Sequence, residues 1–296
     1  MRWTPGGESS DIEDRRDDSG GEGFGGGGGG FGFGGVHLGI GGTILLIILS
    51  LIFRHNLFTM FSGSGDVPVN TTRTARPSAD ANEIPNEQKE VQLVSFVLDD
   101  VQNTWAKLLP EQAHIPYRHA KLVLFRNSTR SACGQAQLAT GPFYCPADEK
   151  VYLDLGFYEE LKTRFGAPGE FAQAYVLAHE IGHHVQKLLG IETKVRRLQQ
   201  LHPEEVNPLS VRLELQADCF AGIWANTTKE RKIIDETDIS QGLNAAASVG
   251  DDRLQKMATG HVSPENFTHG TSASRMKWFR AGLDSGDLSA CKTFAH

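Results

Sequence analysis

The chain has 296 residues, with 29 basic and 36 acidic side chains and a formal net charge of −7. Its lysines and arginines are scattered and form no basic stripe, which argues against a nucleic-acid partner. The composition changes along the chain, so the amino-terminal and carboxyl-terminal parts need separate predictions.

The amino-terminal part, residues 1–35, is rich in glycine and in charge. It holds 14 glycines, seven acidic residues and three arginines. A segment with so few apolar side chains has little to bury, so we predict a disordered, glycine-rich acidic tail.

An apolar run without Asp, Glu, Lys or Arg follows at residues 36–53, VHLGIGGTILLIILSLIF. Its 18 residues just reach the length that spans the hydrocarbon core of a bilayer. A cleaved signal peptide is the alternative, but the run lies late and lacks a small-x-small site directly after it. We therefore predict a single transmembrane helix, followed by a flexible linker over residues 54–85.

Residues 86–296 are long enough to form one sizeable core. Apolar spacing predicts a helix from Val91 to Leu109, ended by Pro110. The remaining predicted elements are strands at 121–125 and 151–154, with a hairpin or irregular sheet edge between them, and helices at 155–165, 170–190 and 210–225. The predicted fold class is α+β, mainly helical with a small sheet.

The segment 170–190 contains the string His179-Glu180-Ile181-Gly182-His183. Residues four apart on a helix lie on one face, so His179 and His183 can both reach one metal ion. Neutral imidazole suits zinc, and Glu180 is near enough to reach a metal-bound water without binding the metal. His184 is turned by about 100° from His183, so we expect it at the surface or in a supporting position. A chance HExxH string is the alternative, and a second element is needed.

That second element is the pair Glu214 and Asp218, again four residues apart on a predicted helix. Two carboxylates on an otherwise apolar helix are costly unless they have partners. Glu214 can complete a two-histidine, one-glutamate zinc site, and Asp218 can accept the free N–H of a liganding histidine, assigned as His179. The alternative is a solvated acidic face.

HEIGH followed by ELQAD resembles the glutamate-type zincins. The longer strings GPFYCPADEKVYLD, YVLAHEIGHHVQ, RLELQADCFAG and THGTSASRMKWF resemble the bacterial neutral zinc metallopeptidase family. The resemblance implies a zincin-like metallopeptidase domain with one Zn²⁺ per chain and a peptide or protein substrate.

The implied reaction is metal-assisted hydrolysis with Glu180 as general base. Four side chains are candidates for stabilising the oxyanion: His269, Arg275, Tyr144 and Tyr152. His269 is the first choice, although a capping or structural role for it is equally open. An extended substrate would add to a strand edge within residues 143–154.

Two other functions stay open at this point. One is a membrane-anchored, catalytically weak zinc-binding scaffold or binding protein of the cell envelope, against which the intact Glu180 argues. The other is a zinc hydrolase that acts on a small ester or amide.

The four cysteines match no zinc-ribbon spacing. They can form two disulfides or stay reduced, and the predicted membrane segment favours an oxidising compartment. We predict the pairs Cys133–Cys145 and Cys219–Cys291. The predicted topology places the tail in the cytoplasm and residues 62–296 on the exported side of a bacterial inner membrane, the periplasm in a Gram-negative cell. The arginines on the two sides of the apolar run are equal in number and decide nothing.

Overall fold

The computed structural model describes residues 1–18, 83–137 and 140–294. The predicted transmembrane helix at 36–53 and nearly all of the linker at 54–85 therefore lie outside the described residues. Within the described ranges, no helix combines the length and the apolar character that a membrane span requires.

The described residues form a mainly helical α+β domain, as the sequence predicts. The strands are β1 (Ile12–Asp14), β2 (Lys121–Phe125), β3 (Ser128–Ser131), β4 (Gly134–Gln137), β5 (Phe143–Cys145) and β6 (Lys150–Asp154). The helices are α1 (Glu83–Ala113), α2 (Gly156–Thr163), α3 (Glu170–Leu188), α4 (Ile191–Leu201), α5 (Val206–Glu230), α6 (Glu236–Ser248), α7 (Asp251–Thr259) and α8 (Ser272–Ser285). Short 3-10 turns lie at Pro203–Glu205, Pro264–Asn266 and Leu288–Ala290.

Four strands form one mixed sheet in the order β1-β2-β6-β5. The first three are parallel, and β5 runs antiparallel to β6. Strands β2 and β6 are buried on both faces, which explains why they read as continuous apolar runs. Among the described strands, β5 forms one of the two edges of this sheet, and the hairpin β3–β4 is tied to it by the predicted disulfide Cys133–Cys145.

Helix α3 lies in the core and is buried nearly all round. It packs against α1, α5 and α6. Helices α5 and α8 approach each other most closely at Gly222 and Gly282, where an added Cβ would collide with the backbone of the opposite helix. The second predicted disulfide, Cys219–Cys291, ties the carboxyl-terminal tail to α5.

Helix α1 is longer than predicted, because it continues through Pro110 to Ala113. The His114 N–H donates to the Pro110 carbonyl, which closes the last turn beyond the proline. A proline removes only its own N–H, and so near the end of a helix one missing bond does not stop the last turn from forming.

The prediction of disorder over residues 1–35 is wrong for residues 1–18. Strand β1 pairs in parallel with β2 over Ile12–Asp14. The Met1 amine donates to Asp238 at 2.8 Å, and the Trp3 indole N–H donates to Glu170 at 2.9 Å. Glu170 is the first residue of α3, so the amino terminus contacts the helix that carries the HExxH string.

Polar contacts explain why hydropathy did not reveal this segment. Asp11 is buried and accepts from Lys121 at 2.8 Å and from Gln102 at 2.8 Å. The His119 ring contacts the same carboxylate. Backbone pairing and ion pairs therefore hold much of the segment, and neither leaves an apolar pattern in the sequence, although Met1, Trp3 and Ile12 also pack against the core.

The position of β1 also corrects the predicted topology. A single crossing at residues 36–53 would put residues 1–18 and residues 83–294 on opposite sides of the membrane. Pairing of β1 with β2 requires both to be in the same compartment. A cytoplasmic tail combined with an exported domain is therefore incompatible with this fold.

We predict that Ser10→Cys and Lys107→Cys behave alike in intact bacterial cells treated with a membrane-impermeant maleimide. Both positions are exposed, and the four native cysteines are paired, so the introduced thiol is the only free one. Both variants should be labelled, or both should be protected until the membrane is opened by detergent. Labelling of one position and protection of the other would contradict the shared compartment.

Candidate metal centre

The structure brings His179, His183 and Glu214 into one cluster whose potential ligand atoms all lie within 4.8 Å of one another. The His179 Nε2 atom is 3.2 Å from Glu214 Oε2. The His183 Nε2 atom is 3.5 Å from Glu214 Oε1. Two helices supply the cluster, with the histidines on α3 and the carboxylate on α5.

Gly182 allows these two helices to approach closely. A Cβ atom at this position would lie 3.0 Å from the Ala217 carbonyl oxygen and 3.2 Å from the Ala217 Cα. Because both distances are shorter than ordinary van der Waals contacts, a larger residue would push α3 away from α5. The glycine inside HEIGH therefore serves helix packing, and this packing carries the histidines to Glu214.

A buried carboxylate holds the first histidine. Asp218 is fully buried, and its Oδ1 atom lies 2.9 Å from His179 Nδ1. The Tyr175 hydroxyl donates to the same oxygen. The Arg275 guanidinium donates to both Asp218 oxygens at 2.9 Å. With Nδ1 facing Asp218, the Nε2 atom of His179 is the one that faces Glu214.

The charges in the cluster depend on one another. Burial alone would lower the pKa of His179, but its bonds with Asp218 and Glu214 outweigh burial and raise that pKa to about 10. Burial alone would raise the pKa of Glu214, but the charges and hydrogen bonds of His183 and His179 hold it well below its usual value. The pKa of Asp218 is lowered chiefly by Arg275 and His179, which outweigh the effect of burial.

This donor set fits zinc. Two imidazole nitrogens and one carboxylate oxygen are the ligands of many catalytic zinc sites, which leave one position open for water or substrate. The ring nitrogen of His179 that faces away from Glu214 has a carboxylate partner, an arrangement that orients metal-binding histidines. In the absence of metal, protons between the carboxylates and imidazoles supply the positive charge, and they are released when a metal binds.

The cluster opens onto a cleft of about 590 Å³ that is lined by residues of α3, α5, the edge strand β5 and the loop containing His269. Glu180 also lines this cleft. Among the residues that the structure describes, none forms a hydrogen bond or an ion pair with the Glu180 carboxylate. Its side chain is therefore available to a molecule in the cleft.

The structure shows which of the four predicted oxyanion donors line the cleft and which of them already donate elsewhere. Tyr152 donates to Asp148 and does not line the cleft. Tyr144 lines the cleft, but its hydroxyl lies 2.9 Å from His184 Nδ1. The His184 Nε2 atom lies 2.7 Å from the Arg118 carbonyl, which can only accept, so Nδ1 accepts from Tyr144. The Tyr144 proton is thus already used.

Arg275 lines the cleft, but Asp218, Tyr175 and the Val249 carbonyl accept from its guanidinium. His269 remains. Its Nδ1 atom lies 3.1 Å from Asp251 Oδ1, which leaves Nε2 free of this contact. Burial lowers the pKa of His269, but Asp251 and the charge of Glu214 outweigh burial and raise it, which favours the charged donor form.

The sequence predicts His184 at the surface or in a supporting position of the site, and the structure places it in neither. It is fully buried and contacts Tyr144 and Arg118 in place of the metal cluster. Sequence reasoning also missed Gln186, whose Oε1 atom lies 2.9 Å from His183 Nδ1. Its position three residues after His183, on the same helix face, is the signal that could have revealed it.

Comparison with known proteins agrees with this geometry. The model of the family described as "Putative neutral zinc metallopeptidase" matches residues 1–294. The chain belongs to this family. The match includes residues 1–18, in agreement with their place in the fold.

The chain is also similar to two uncharacterized bacterial proteins. The chain is 46% identical to the uncharacterized protein YpfJ of Escherichia coli K12 over 297 aligned positions, which cover 99% of both chains. It is 42% identical to the uncharacterized protein Rv2575 of Mycobacterium tuberculosis H37Rv over 208 aligned positions, covering 67% of this chain and 68% of that protein. No solved structure matches the chain.

We predict that Asp218→Asn lowers the free energy of unfolding of the metal-free protein by about 3–5 kcal/mol. The reason is that removing one partner of a buried ion pair leaves the Arg275 guanidinium buried without its nearest counter-charge, with only Glu214 at 4.0 Å. Urea unfolding followed by circular dichroism measures the loss. In the double variant with Arg275→Met, the loss should be smaller than the sum of the two single losses. Additive losses, or a loss below about 1 kcal/mol in Asp218→Asn, would contradict the described pair.

Proposed function

We propose that the protein is a zinc-dependent peptidase in which His179, His183 and Glu214 bind the metal. The observation that carries the proposal is the position of these three side chains at the wall of a large cleft, beside the edge strand β5. Membership of a neutral zinc metallopeptidase family supports the same reaction class.

The metal and the protein side chains have separate roles in the proposed reaction. A bound zinc ion supplies Lewis acidity, which lowers the pKa of water and polarises a carbonyl group. Glu180 accepts the proton of the attacking water and returns it to the leaving amine. Its buried carboxylate has no partner among the described residues, so no existing bond must break before it acts.

His269 is the proposed donor to the developing oxyanion. Its Nδ1 atom contacts Asp251, which orients the ring and favours the protonated form. The backbone N–H groups of Thr268, His269 and Gly270 also donate to Asp251, which fixes the loop beside the cleft. A charged imidazole whose second nitrogen has no partner among the described residues suits the stabilisation of a negative oxygen.

The edge strand β5 is the proposed binding surface for an extended peptide. It pairs with β6 on one side only, and Phe143 and Tyr144 line the cleft. A peptide that adds to this edge would gain backbone hydrogen bonds with little selection among its side chains. We therefore expect an unfolded or extended protein segment as the substrate.

The proposed location is the outer side of the bacterial inner membrane. Two disulfides support it, because disulfides persist in oxidising compartments. Membrane attachment through residues 36–53 remains a proposal that rests on their apolar sequence. Attachment there has to leave residues 1–18 and 83–294 on the same side.

We predict that Glu180→Gln keeps zinc but lowers the rate of peptide cleavage by roughly 10²–10⁴-fold, because an amide cannot accept the proton of water. Digestion of a broad peptide library, read by mass spectrometry, measures the cleavage, and metal analysis measures zinc. Glu192→Gln is the matched control, since Glu192 lines the same cleft and pairs with Arg196 outside the metal cluster. This control should retain both zinc and cleavage.

Two outcomes would count against the proposed function. Near-normal cleavage by Glu180→Gln would show that Glu180 is not the base. Absence of cleavage by the zinc-loaded native chain across the library would favour the alternative, a zinc-binding scaffold of the cell envelope.

A further inference from the structure

A buried relay of two side-chain amides, those of Gln186 and Gln216, connects the metal cluster to the carboxyl-terminal tail. It begins at His183, passes through Gln186 on α3 and Gln216 on α5, and ends at the backbone carbonyl of Cys291. Gln186 is 1% exposed and Gln216 is 6% exposed, so water competes little for these bonds. An unsatisfied amide at this depth would be costly, which makes each bond depend on its neighbour.

Two backbone carbonyls, those of Leu213 and Cys291, fix the direction of every hydrogen bond in the relay. The Gln186 Nε2 atom lies 2.7 Å from the Leu213 carbonyl, and the Gln216 Nε2 atom lies 2.9 Å from the Cys291 carbonyl. A backbone carbonyl only accepts, so the NH₂ group of each glutamine has to face its carbonyl. The Oε1 atom of Gln216 then accepts from Gln186 at 3.1 Å.

The direction of these bonds also fixes which nitrogen of His183 carries the proton. With its NH₂ group facing Leu213, Gln186 presents Oε1 to His183 Nδ1 at 2.9 Å. This oxygen can only accept, so Nδ1 carries the proton. The lone pair of a neutral His183 is therefore on Nε2, the atom that faces Glu214.

We propose that Gln186 and Gln216 are positioning residues that set the tautomer and orientation of His183 for metal binding. Gln186 also bonds the carbonyl of Leu213, the residue before Glu214, and so links the backbone of α5 to the ring of His183. The inference rests on the proposed metal site but does not depend on peptide cleavage.

The Cys219–Cys291 disulfide ties the carboxyl-terminal tail to α5 at the end of the relay. Cys219 on α5 is bonded to Cys291, and the carbonyl of Cys291 is the last acceptor in the relay. No sulfur atom belongs to the metal cluster. Loss of this disulfide nevertheless weakens metal binding, because the tail can then leave and Gln216 loses the acceptor that orients it.

The two proposed histidine ligands are held by different groups. His179 faces the carboxylate of Asp218, whereas His183 faces a neutral amide. A carboxylate can orient a ring by charge alone, but an amide orients it only if its own donor end is fixed. The NH₂ group of Gln186 is held by two acceptors, the Leu213 carbonyl and Gln216 Oε1, and the tethered tail holds Gln216 in place.

The test measures zinc affinity by competition with a chelator in purified full-length protein. Gln186→Leu should lower the affinity roughly 10–100-fold, the usual effect of losing a group that orients a metal ligand. Gln186→Glu keeps an acceptor for His183 but turns its other oxygen toward the Leu213 carbonyl, so it should recover only part of the loss. Gln102→Leu is the matched control, because Gln102 is equally buried but contacts Asp11, Tyr117 and Ala120. It should bind zinc as the native chain does.

A double-mutant cycle tests the connection to the tail. Replacing Cys219 and Cys291 together by serine should lower zinc affinity in the native background, and Gln216→Leu alone should lower it too. Combining them should add little, because both changes break the same relay. This cycle still tests the relay if Gln186→Leu fails to fold, as judged by circular dichroism.

Several results would overturn the inference. Native zinc affinity in Gln186→Leu would show that the amide does not position His183. Equal losses in Gln186→Glu and Gln186→Leu would indicate a role in joining the helices only. Additive losses in the cycle would separate the tail from the site. A native chain that binds no zinc would refute the metal site itself, an outcome distinct from a relay that fails.

Discussion

The close contact between α3 and α5 is the constraint on which the candidate site depends. Each helix supplies half of it: the histidines come from one and Glu214 and Asp218 from the other. At Gly182 the two backbones are so near that a single Cβ would meet the carbonyl of Ala217 at 3.0 Å. Helix α8 packs against α5 through Gly222 and Gly282, and brings Arg275 to Asp218.

The packing of α3 against α5 buries charged side chains next to one another, and each of them changes the pKa of its neighbours. Asp218 is the nearest partner of Arg275, whereas Glu214 lies 4.0 Å from that guanidinium and faces the two imidazoles. In the metal-free protein, the bonds with Asp218 and Glu214 outweigh burial and raise the pKa of His179, and the neighbouring imidazoles lower the pKa of Glu214, which favours a proton on His179 beside an ionised Glu214. A divalent cation bound here would take the place of that proton and meet ligands of opposite net charge.

The sequence predicts the local parts of this site because helical periodicity is local. Two residues four apart must share a face, so the pairs 179/183 and 214/218 follow from spacing alone. The partner of Asp218 does not, since Arg275 is 57 positions away and its contact depends on how α8 packs. Strand β1 was missed because Ile12 is its only apolar residue and its partners are a backbone and a set of charges. Gln216 was missed because its contacts with Gln186 and with the Cys291 carbonyl join separate elements, which local spacing does not reveal.

X-ray absorption at the zinc edge of the purified, zinc-loaded full-length protein identifies the atoms that bind the metal. We expect a first shell of nitrogen and oxygen only, at about 2.0–2.2 Å, with the outer-shell scattering of two imidazoles. We also expect that Glu214→Gln changes this shell while Glu192→Gln does not. A sulfur shell at about 2.3 Å, a single imidazole, or a spectrum unchanged by Glu214→Gln would contradict the proposed ligands.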